Sequence, residues 1–330
     1  GDISGTITAG TDPGLRRAVV EATGTGTAVG TVTAEVNVAL IGGDGPAGIG
    51  DVATDPANDD ETESTILDLN ASDLAFSDGN SVTVWPDSSG YANDMEASGG
   101  VSPVYQARAP GFNDRPALDF SGTSASYLMP SSRQFDNEGP FVQRTLTTVF
   151  RTGASIPSGT GSLPEAIWAE GGGTNGVSVY LRNGDLYVGM WSRRTGWGPY
   201  FFRAASNDLS GSSGIQNADP SDDGGTGTVA INPNTTYVVT LTLNAATSEL
   251  IAYVNGTLIG RQDTDVDVLD SHRNAAIGAS NGGEMLYDDG KEQYEPFTGQ
   301  IAEAVAYGVE LTDAQRQILE SSLGAKYGVA

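Results

Sequence analysis

The sequence predicts an all-β fold, an antiparallel β-sandwich or jelly roll with a short C-terminal helix, preceded by a small N-terminal β-module. The 330-residue chain is rich in glycine (45 residues), threonine and valine, a composition typical of strands and turns. Alternating apolar and polar runs recur along it, and two Asn-Gly pairs, at residues 183–184 and 255–256, separate such runs as type I′ hairpin turns do. Many antiparallel strands with one terminal helix favour a sandwich.

The first 43 residues predict three short strands. The third, GTVTAEVNVALIGG at residues 30–43, alternates strictly, and its apolar face comprises Val32, Ala34, Val36, Val38 and Leu40. Residues 44–65 lack periodicity and are rich in Gly, Pro and Asp, which is typical of a linker. We therefore divide the chain into a β-module (1–43), a linker (44–65) and a β-sandwich (66–330).

Only the end of the chain has a helical pattern. Thr312 and Gln315 form a capping box, which predicts the first turn of a helix. Gly324 is expected to end this helix. Its apolar face is predicted to comprise Ile318, Leu319 and Leu323.

Four stretches of the sandwich follow one another in a familiar order. They are LDLNASDLAFSDGNSVTVWPDSSGYANDMEA (67–97), NDRPALDFSGTSASYLMP (113–130), YVVTLTLNAATSELIAYVNGTLIG (237–260) and FTGQIAEAVAYGVELTDAQRQILESSLGAKYGV (297–329). Together they resemble LamG-like jelly-roll domains of the concanavalin A-like lectin/glucanase superfamily, over about residues 66–329. The resemblance implies that fold and an extracellular binding or structural role, but it names no ligand. The chain has Ser121 and Ala302 where the family often has acidic residues.

The charge of the chain restricts its partners. There are 42 acidic and 16 basic side chains, with a net charge of −26. A nucleic-acid partner is excluded because phosphate binding needs a basic surface. Such acidity indicates adaptation to salty water, where self-repulsion is screened. No apolar run is long enough to span a membrane, and the chain has no cysteine. We expect a secreted or extracellular protein.

One stretch, WSRRTGWGPYFFR at residues 191–203, concentrates arginine and aromatic residues. Its glycines and proline break the strand pattern, so it is expected to be an insertion or an extended hairpin. Arginine and aromatic side chains are enriched in contact surfaces, and aromatic rings also stack on sugars. The alternative is local packing of this insertion onto the sandwich. The candidate contacts with a partner or glycan are Arg193, Arg194, Trp197, Tyr200, Phe201 and Arg203.

A candidate calcium site lies in the loop WPDSSGYAND. Asp87, Asn93 and Asp94 supply oxygen atoms of the kind that Ca²⁺ prefers, and Gly90 allows a tight turn. The alternative is that Asp87 and Asn93 only form hydrogen bonds to the backbone of the turn.

The sequence argues against an enzyme. A serine triad or a zinc site needs histidine or cysteine, and the chain has one histidine and no cysteine. The histidine, His272, lies in a polar stretch and is expected in a surface loop. Asp263, Asp265 and Asp267 would share one face of a strand, as glycosidase carboxylates do, but we favour a solvated acidic edge or a weak cation site.

Two functions remain open. The first is an adhesive or glycan-binding module whose partner is a glycan or a cell surface. The second is a structural subunit of a filament, a surface layer or a virion exterior. Its partners would be identical subunits, joined by strand addition through Val32, Val36, Val38 and Leu40. The alternative is that this apolar face packs on the sandwich of its own chain. A glycoside hydrolase is the least favoured function.

Overall fold

Two facing β-sheets and a C-terminal helix account for most of the described structure. The computed structural model describes residues 6–9, 18–21, 65–98, 101–120, 127–128, 139–158, 162–204, 229–273, 275–280 and 295–329. By internal contacts the chain divides into two units, Gly1–Gly43 and Asp44–Ala330. In the first unit β1 (Thr6–Ala9) pairs antiparallel with β2 (Ala18–Glu21). The candidate assembly strand with Val32, Val36, Val38 and Leu40 lies outside the described residues and stays a prediction.

Seventeen further strands and a helix lie in the described part of the second unit. Thr65, which we placed in the linker, begins the first of them. In chain order the strands are β3 (Thr65–Asn70), β4 (Val84–Trp85), β5 (Met95–Ala97), β6 (Val104–Gln106), β7 (Ala117–Asp119), β8 (Tyr127–Leu128), β9 (Gln143–Arg151), β10 (Glu165–Gly171), β11 (Asn175–Arg182), β12 (Asp185–Ser192), β13 (Trp197–Ala204), β14 (Thr236–Asn244), β15 (Glu249–Val254), β16 (Thr257–Gln262), β17 (Ala276–Ile277), β18 (Glu295–Pro296) and β19 (Gln300–Tyr307). The helix, α1, spans Asp313–Tyr327.

The strands form two sheets whose neighbours are often distant in sequence. The first sheet has the order β13-β12-β11-β10-β17-β8-β5-β4, with β18 beside β10. The second has the order β16-β15-β14-β9-β19-β7-β6, with β3 beside β19. Among the described strands only β10 and β18 pair in parallel. Short hairpins combined with long crossovers are typical of a jelly roll, which confirms the predicted fold class.

Strand alternation divides the apolar residues among three clusters. The main core lies between the sheets and includes Val179 on β11 and Leu241 on β14. A second cluster lies between the second sheet and α1 and includes Val305 and Leu319. The opposite face of the first sheet carries a third, aromatic cluster of Tyr180, Tyr187, Trp191 and Phe201. Every second residue of a strand faces the same side, so Val179 and Tyr180 belong to different clusters.

The two predicted hairpin turns are confirmed. Asn183 and Gly184 join β11 to β12 with φ of 55° and 87°, and Asn255 and Gly256 join β15 to β16 with φ of 49° and 76°. Both central residues of a type I′ turn need positive φ, which asparagine and glycine tolerate best.

The helix begins where the capping box predicts but ends later. Thr312 and Gln315 form both hydrogen bonds of the box. The predicted end at Gly324 is wrong, because the helix continues to Tyr327 and ends at Gly328, whose φ is 69°. Leu319 and Leu323 are buried as predicted, whereas Ile318 is 51% exposed. No helix in the described part of the chain is long and apolar enough to cross a membrane.

Candidate functional site

An open pocket of about 420 Å³ lies where the turn between β10 and β11 meets two other segments. We call it the hairpin pocket. The turn contributes residues 171–175, the turn before β13 contributes Arg194, and the loop before β17 contributes residues 271–273. Its lining is polar, with side chains from Thr174, Asn175, Arg194, Ser271, His272 and Arg273.

A glycine-rich turn shapes one wall of the hairpin pocket. Gly171 has φ of 85°, and a Cβ there would collide with the carbonyl of Asn175, so only glycine fits without rearrangement. The Gly171 amide donates to the Arg273 carbonyl at 2.6 Å, and the Gly172 amide donates to the Asn175 carbonyl at 3.0 Å. The first hydrogen bond joins the turn to the loop opposite it, and the second closes the turn itself.

Asn175 connects all three segments of the hairpin pocket. Asn175 is buried, with 4% of its surface exposed to solvent. The side-chain Oδ1 accepts from the Arg194 amide at 3.3 Å, and Nδ2 donates to the Ser271 carbonyl at 3.3 Å. The Arg193 amide also donates to the Thr174 carbonyl at 2.8 Å. These hydrogen bonds therefore fix the three segments of the pocket relative to one another.

A buried ion network forms the floor of the hairpin pocket. Arg144 on β9 donates to both carboxylate oxygens of Glu170 on β10, at 2.7 and 3.1 Å. Nε2 of His272 lies 2.7 Å from Glu170 Oε2, and Trp168 Nε1 donates to Oε1 at 2.7 Å. The side chains of Arg144 and Glu170 are 0% exposed. Because β9 and β10 belong to different sheets, this network also ties the two sheets together.

Glu170 is a carboxylate in this network. Burial alone would raise its pKa, but the Arg144 guanidinium and the hydrogen bond from His272 outweigh burial and lower the pKa to about 2. His272 Nδ1 lies 3.1 Å from the Asp270 carbonyl oxygen. His272 Nε2 also lies 3.4 Å from Arg144 Nη1, so the ring contacts both members of the ion pair.

The prediction that His272 lies in a surface loop is wrong. The residue is 8% exposed, and its ring packs 6.0 Å from that of Phe141. Its polar surroundings in the sequence misled the prediction, because the groups that bury and bind it, Arg144 and Glu170, are 128 and 102 residues away. The sequence around His272 carries no signal of this contact.

The aromatic residues of the arginine-aromatic stretch are part of the sheet. Residues Trp197–Ala204 form β13, which pairs with β12 as a hairpin, so the hairpin interpretation is confirmed, whereas the expectation that the stretch lies outside the core strands is wrong. Trp197 is 3% exposed, Tyr200 8% and Phe201 2%. These three rings are therefore packed rather than presented to a partner, as the packing alternative proposed. Arg203 pairs with Asp185 at 3.7 Å, and its side chain is only 8% exposed.

The two arginines in the turn before β13 are exposed. Arg194 lines the hairpin pocket, with a side chain that is 62% exposed and 3.2 Å from Asp270. Arg193 precedes it in the same turn. Of the six candidate contacts in this stretch, the structure places only Arg194 in the pocket lining.

The loop around Asp87 is a dense network of hydrogen bonds. Asp87 Oδ1 accepts from the amides of Asp68 and Ser89, and Oδ2 accepts from the Ser89 hydroxyl and the Asn93 amide. Asp94 Oδ1 accepts from the Asp87 amide at 2.9 Å. The Asn93 side chain donates to the Ile66 carbonyl at 2.8 Å. A calcium ion would have to replace several of these bonds, so the geometry favours the turn interpretation.

The three aspartates considered for catalysis do not share a strand. Asp263, Asp265 and Asp267 follow the end of β16 and are exposed. Asp265 has φ of 60°, which breaks an extended conformation. The carboxylates therefore lack the common face that the strand interpretation required.

Comparison with known proteins agrees with the fold. Residues 157–315 match the family model Laminin_G_3, described as the concanavalin A-like lectin/glucanases superfamily, which confirms the resemblance over that part of the chain. A search of curated proteins found no match.

Solved structures with a similar fold include two botulinum neurotoxin binding domains and one from a mosquitocidal protein. The binding domain of botulinum neurotoxin DC in complex with SialylT is 16% identical, with a TM-score of 0.47 and coverage of 79% of this chain and 51% of that one. The binding domain of botulinum neurotoxin serotype D is 16% identical, with a TM-score of 0.49 and coverage of 78% of this chain and 52% of that one. The binding domain of Paraclostridial Mosquitocidal Protein 1 is 14% identical, with a TM-score of 0.49 and coverage of 79% of this chain and 52% of that one. The chain spans about half the length of these structures, and likeness at this level carries no information about ligands.

Proposed function

We propose that the protein is a non-enzymatic, carbohydrate-binding β-sandwich that acts outside the cell, and that the hairpin pocket is its sugar site. The observation that carries the proposal is the lining of the pocket. It places the hydroxyl-bearing residues Thr174 and Ser271 and the arginines Arg194 and Arg273 around one open cavity. Sugar hydroxyls need such a mixture of donors and acceptors.

The framework of the hairpin pocket supports binding. Asn175 is buried and hydrogen-bonded to both neighbouring segments, and Gly171 fixes the turn. A pocket that is already formed loses little conformational entropy when a ligand enters it.

The same lining supports binding rather than hydrolysis. Retaining glycosidases need two carboxylates about 5–5.5 Å apart, and inverting ones about 6.5–9.5 Å apart. None of the described residues that line the hairpin pocket is acidic. The neighbouring Asp270 pairs with Arg194 at 3.2 Å, and Glu170 is held by three donor groups beneath the pocket.

A glycan microarray with neutral and acidic oligosaccharides tests the proposal, followed by calorimetric titration of the best probe. The double variant Arg194→Ala, Arg273→Ala removes two side chains from the pocket lining and is expected to weaken binding. The matched control is Arg108→Ala, Arg115→Ala, which removes the same charge from exposed positions outside the pocket. Equal binding by both double variants would show that sugar binds elsewhere. Absence of binding to every glycan would refute the function.

A further inference from the structure

We infer that the hairpin pocket selects glycans that carry a negative group, a carboxylate or a sulfate. This inference rests on the proposed function and adds the class of ligand. The charges of the residues that line the pocket support it.

The lining of the pocket has the opposite charge from the rest of the chain. Its described residues include Arg194, His272 and Arg273 but no acidic side chain. The chain as a whole has 42 acidic and 16 basic side chains. In so acidic a protein, a cavity lined only by basic ionisable groups is a local site for an anion.

The buried carboxylate next to the pocket is offset by an arginine. Arg144 donates to both oxygens of Glu170, at 2.7 and 3.1 Å, and both side chains are 0% exposed. Glu170 therefore does not present an unpaired negative charge to the pocket.

One acidic side chain, Asp270, pairs with an arginine of the pocket lining. Its Oδ2 lies 3.2 Å from Arg194 Nη1, and its Oδ1 accepts from the amide of Ser271 at 2.8 Å. The Arg194 side chain is 62% exposed, and ion pairs of such exposed groups contribute little. Arg194 also has donors beyond the one that Asp270 uses. A guanidinium can hold a carboxylate or a sulfate with two parallel hydrogen bonds, which a neutral hydroxyl cannot match.

Paired probes that differ only in charge test the inference by calorimetric titration. One pair is an oligogalacturonate and its fully methyl-esterified form, and the other is a sulfated galactan oligosaccharide and its desulfated form. In at least one pair we expect the anionic member to bind roughly tenfold or more tightly than the neutral one. The pair that shows the difference identifies carboxylate or sulfate as the preferred group.

Variants connect that preference to the pocket. The Arg194→Ala, Arg273→Ala protein is expected to lose the difference between anionic and neutral probes, while the Arg108→Ala, Arg115→Ala control keeps it.

The outcomes separate the two proposals. Equal binding of anionic and neutral probes would overturn the inference while the sugar-binding function stands. A preference for anions that survives in the Arg194→Ala, Arg273→Ala protein would also overturn it. Failure of every probe, charged or neutral, would refute the proposed function itself.

Discussion

Replacing Asp68 by asparagine is expected to stabilise the protein above pH 7. Asp68 lies on β3, and its Oδ1 is buried without a hydrogen-bond partner. Burial raises the pKa of Asp68 from 3.8 to about 7, and the charges of Glu303, Asp73 and Asp87 add to this against the opposing effect of Lys326. Above pH 7 the folded protein therefore holds Asp68 as a carboxylate in surroundings that favour its protonated form.

The size of the effect follows from the shift in pKa. A raised pKa means that the folded state binds the proton more tightly than the unfolded state. The protonated carboxyl favours folding below about pH 4, and this advantage is lost as the pH rises from about 4 through 7. A shift of about three pH units at ~1.4 kcal/mol each sets an upper limit of ~4 kcal/mol. Because the side chain is partly exposed, we expect roughly 2–3 kcal/mol at pH 8.

Thermal unfolding of the wild type and the Asp68→Asn variant between pH 4 and pH 8 measures this effect. The variant is expected to gain stability relative to the wild type as the pH rises. Asp263→Asn is the matched control, since it removes the same charge from an exposed loop. A gain for Asp68→Asn that is independent of pH, and equal to that of the control, would refute the reasoning.

Four other predictions follow from the structure. Trp197→Ala with Tyr200→Ala is expected to cost several kcal/mol, because both rings are buried; a melting temperature near that of the wild type would place them on the surface. Glu170→Gln is expected to cost roughly 3–5 kcal/mol in chemical denaturation, because Arg144 loses its buried counterion. Since the pKa of Glu170 is lowered from 4.5 to about 2, the wild type keeps this contribution above about pH 4.5 and loses it as the pH falls through 2. A chelator is expected to leave the melting temperature unchanged, whereas Asp87→Ala lowers it by leaving four donors without their acceptor; a calcium-dependent rise that Asp87→Ala abolishes would instead reveal a metal site. For the structural-subunit alternative, deleting residues 1–43 would abolish polymer formation and leave a folded monomer in size-exclusion chromatography; an unstable remainder from a monomeric parent would contradict strand addition.

Local chemistry made some elements predictable from sequence. Asn183-Gly184 and Asn255-Gly256 need only their own backbone preferences to form turns, and the capping box of Thr312 needs only a residue three positions away. The end of α1 was misjudged because Gly324 is tolerated inside a helix that packs against the second sheet. Tertiary packing there outweighs the low helix propensity of glycine.

The site was less predictable because its parts are distant in sequence. Arg144, Glu170 and His272 come from a strand of each sheet and a loop, and each residue alone resembles an ordinary polar side chain. The arginine-aromatic stretch did lead to the pocket, but through Arg194 and not through its rings. Arg194 lies in the turn before β13, whereas the rings lie on the strand itself, which packs against a cluster on each face. The composition of the stretch does not tell where the turn ends and the packed strand begins.

The charge of the chain and the charge of the hairpin pocket act over different distances. For an anionic glycan, the net charge of −26 repels from afar, and dissolved salt screens that repulsion beyond about 8–10 Å at physiological ionic strength. The proposed attraction is direct contact with Arg194 and Arg273 in the pocket lining. Contact acts over distances shorter than the Debye length, where salt screens charges less than at long range. Salt therefore removes more of the long-range repulsion than of the contact attraction, so an acidic surface and a basic pocket are compatible in one protein.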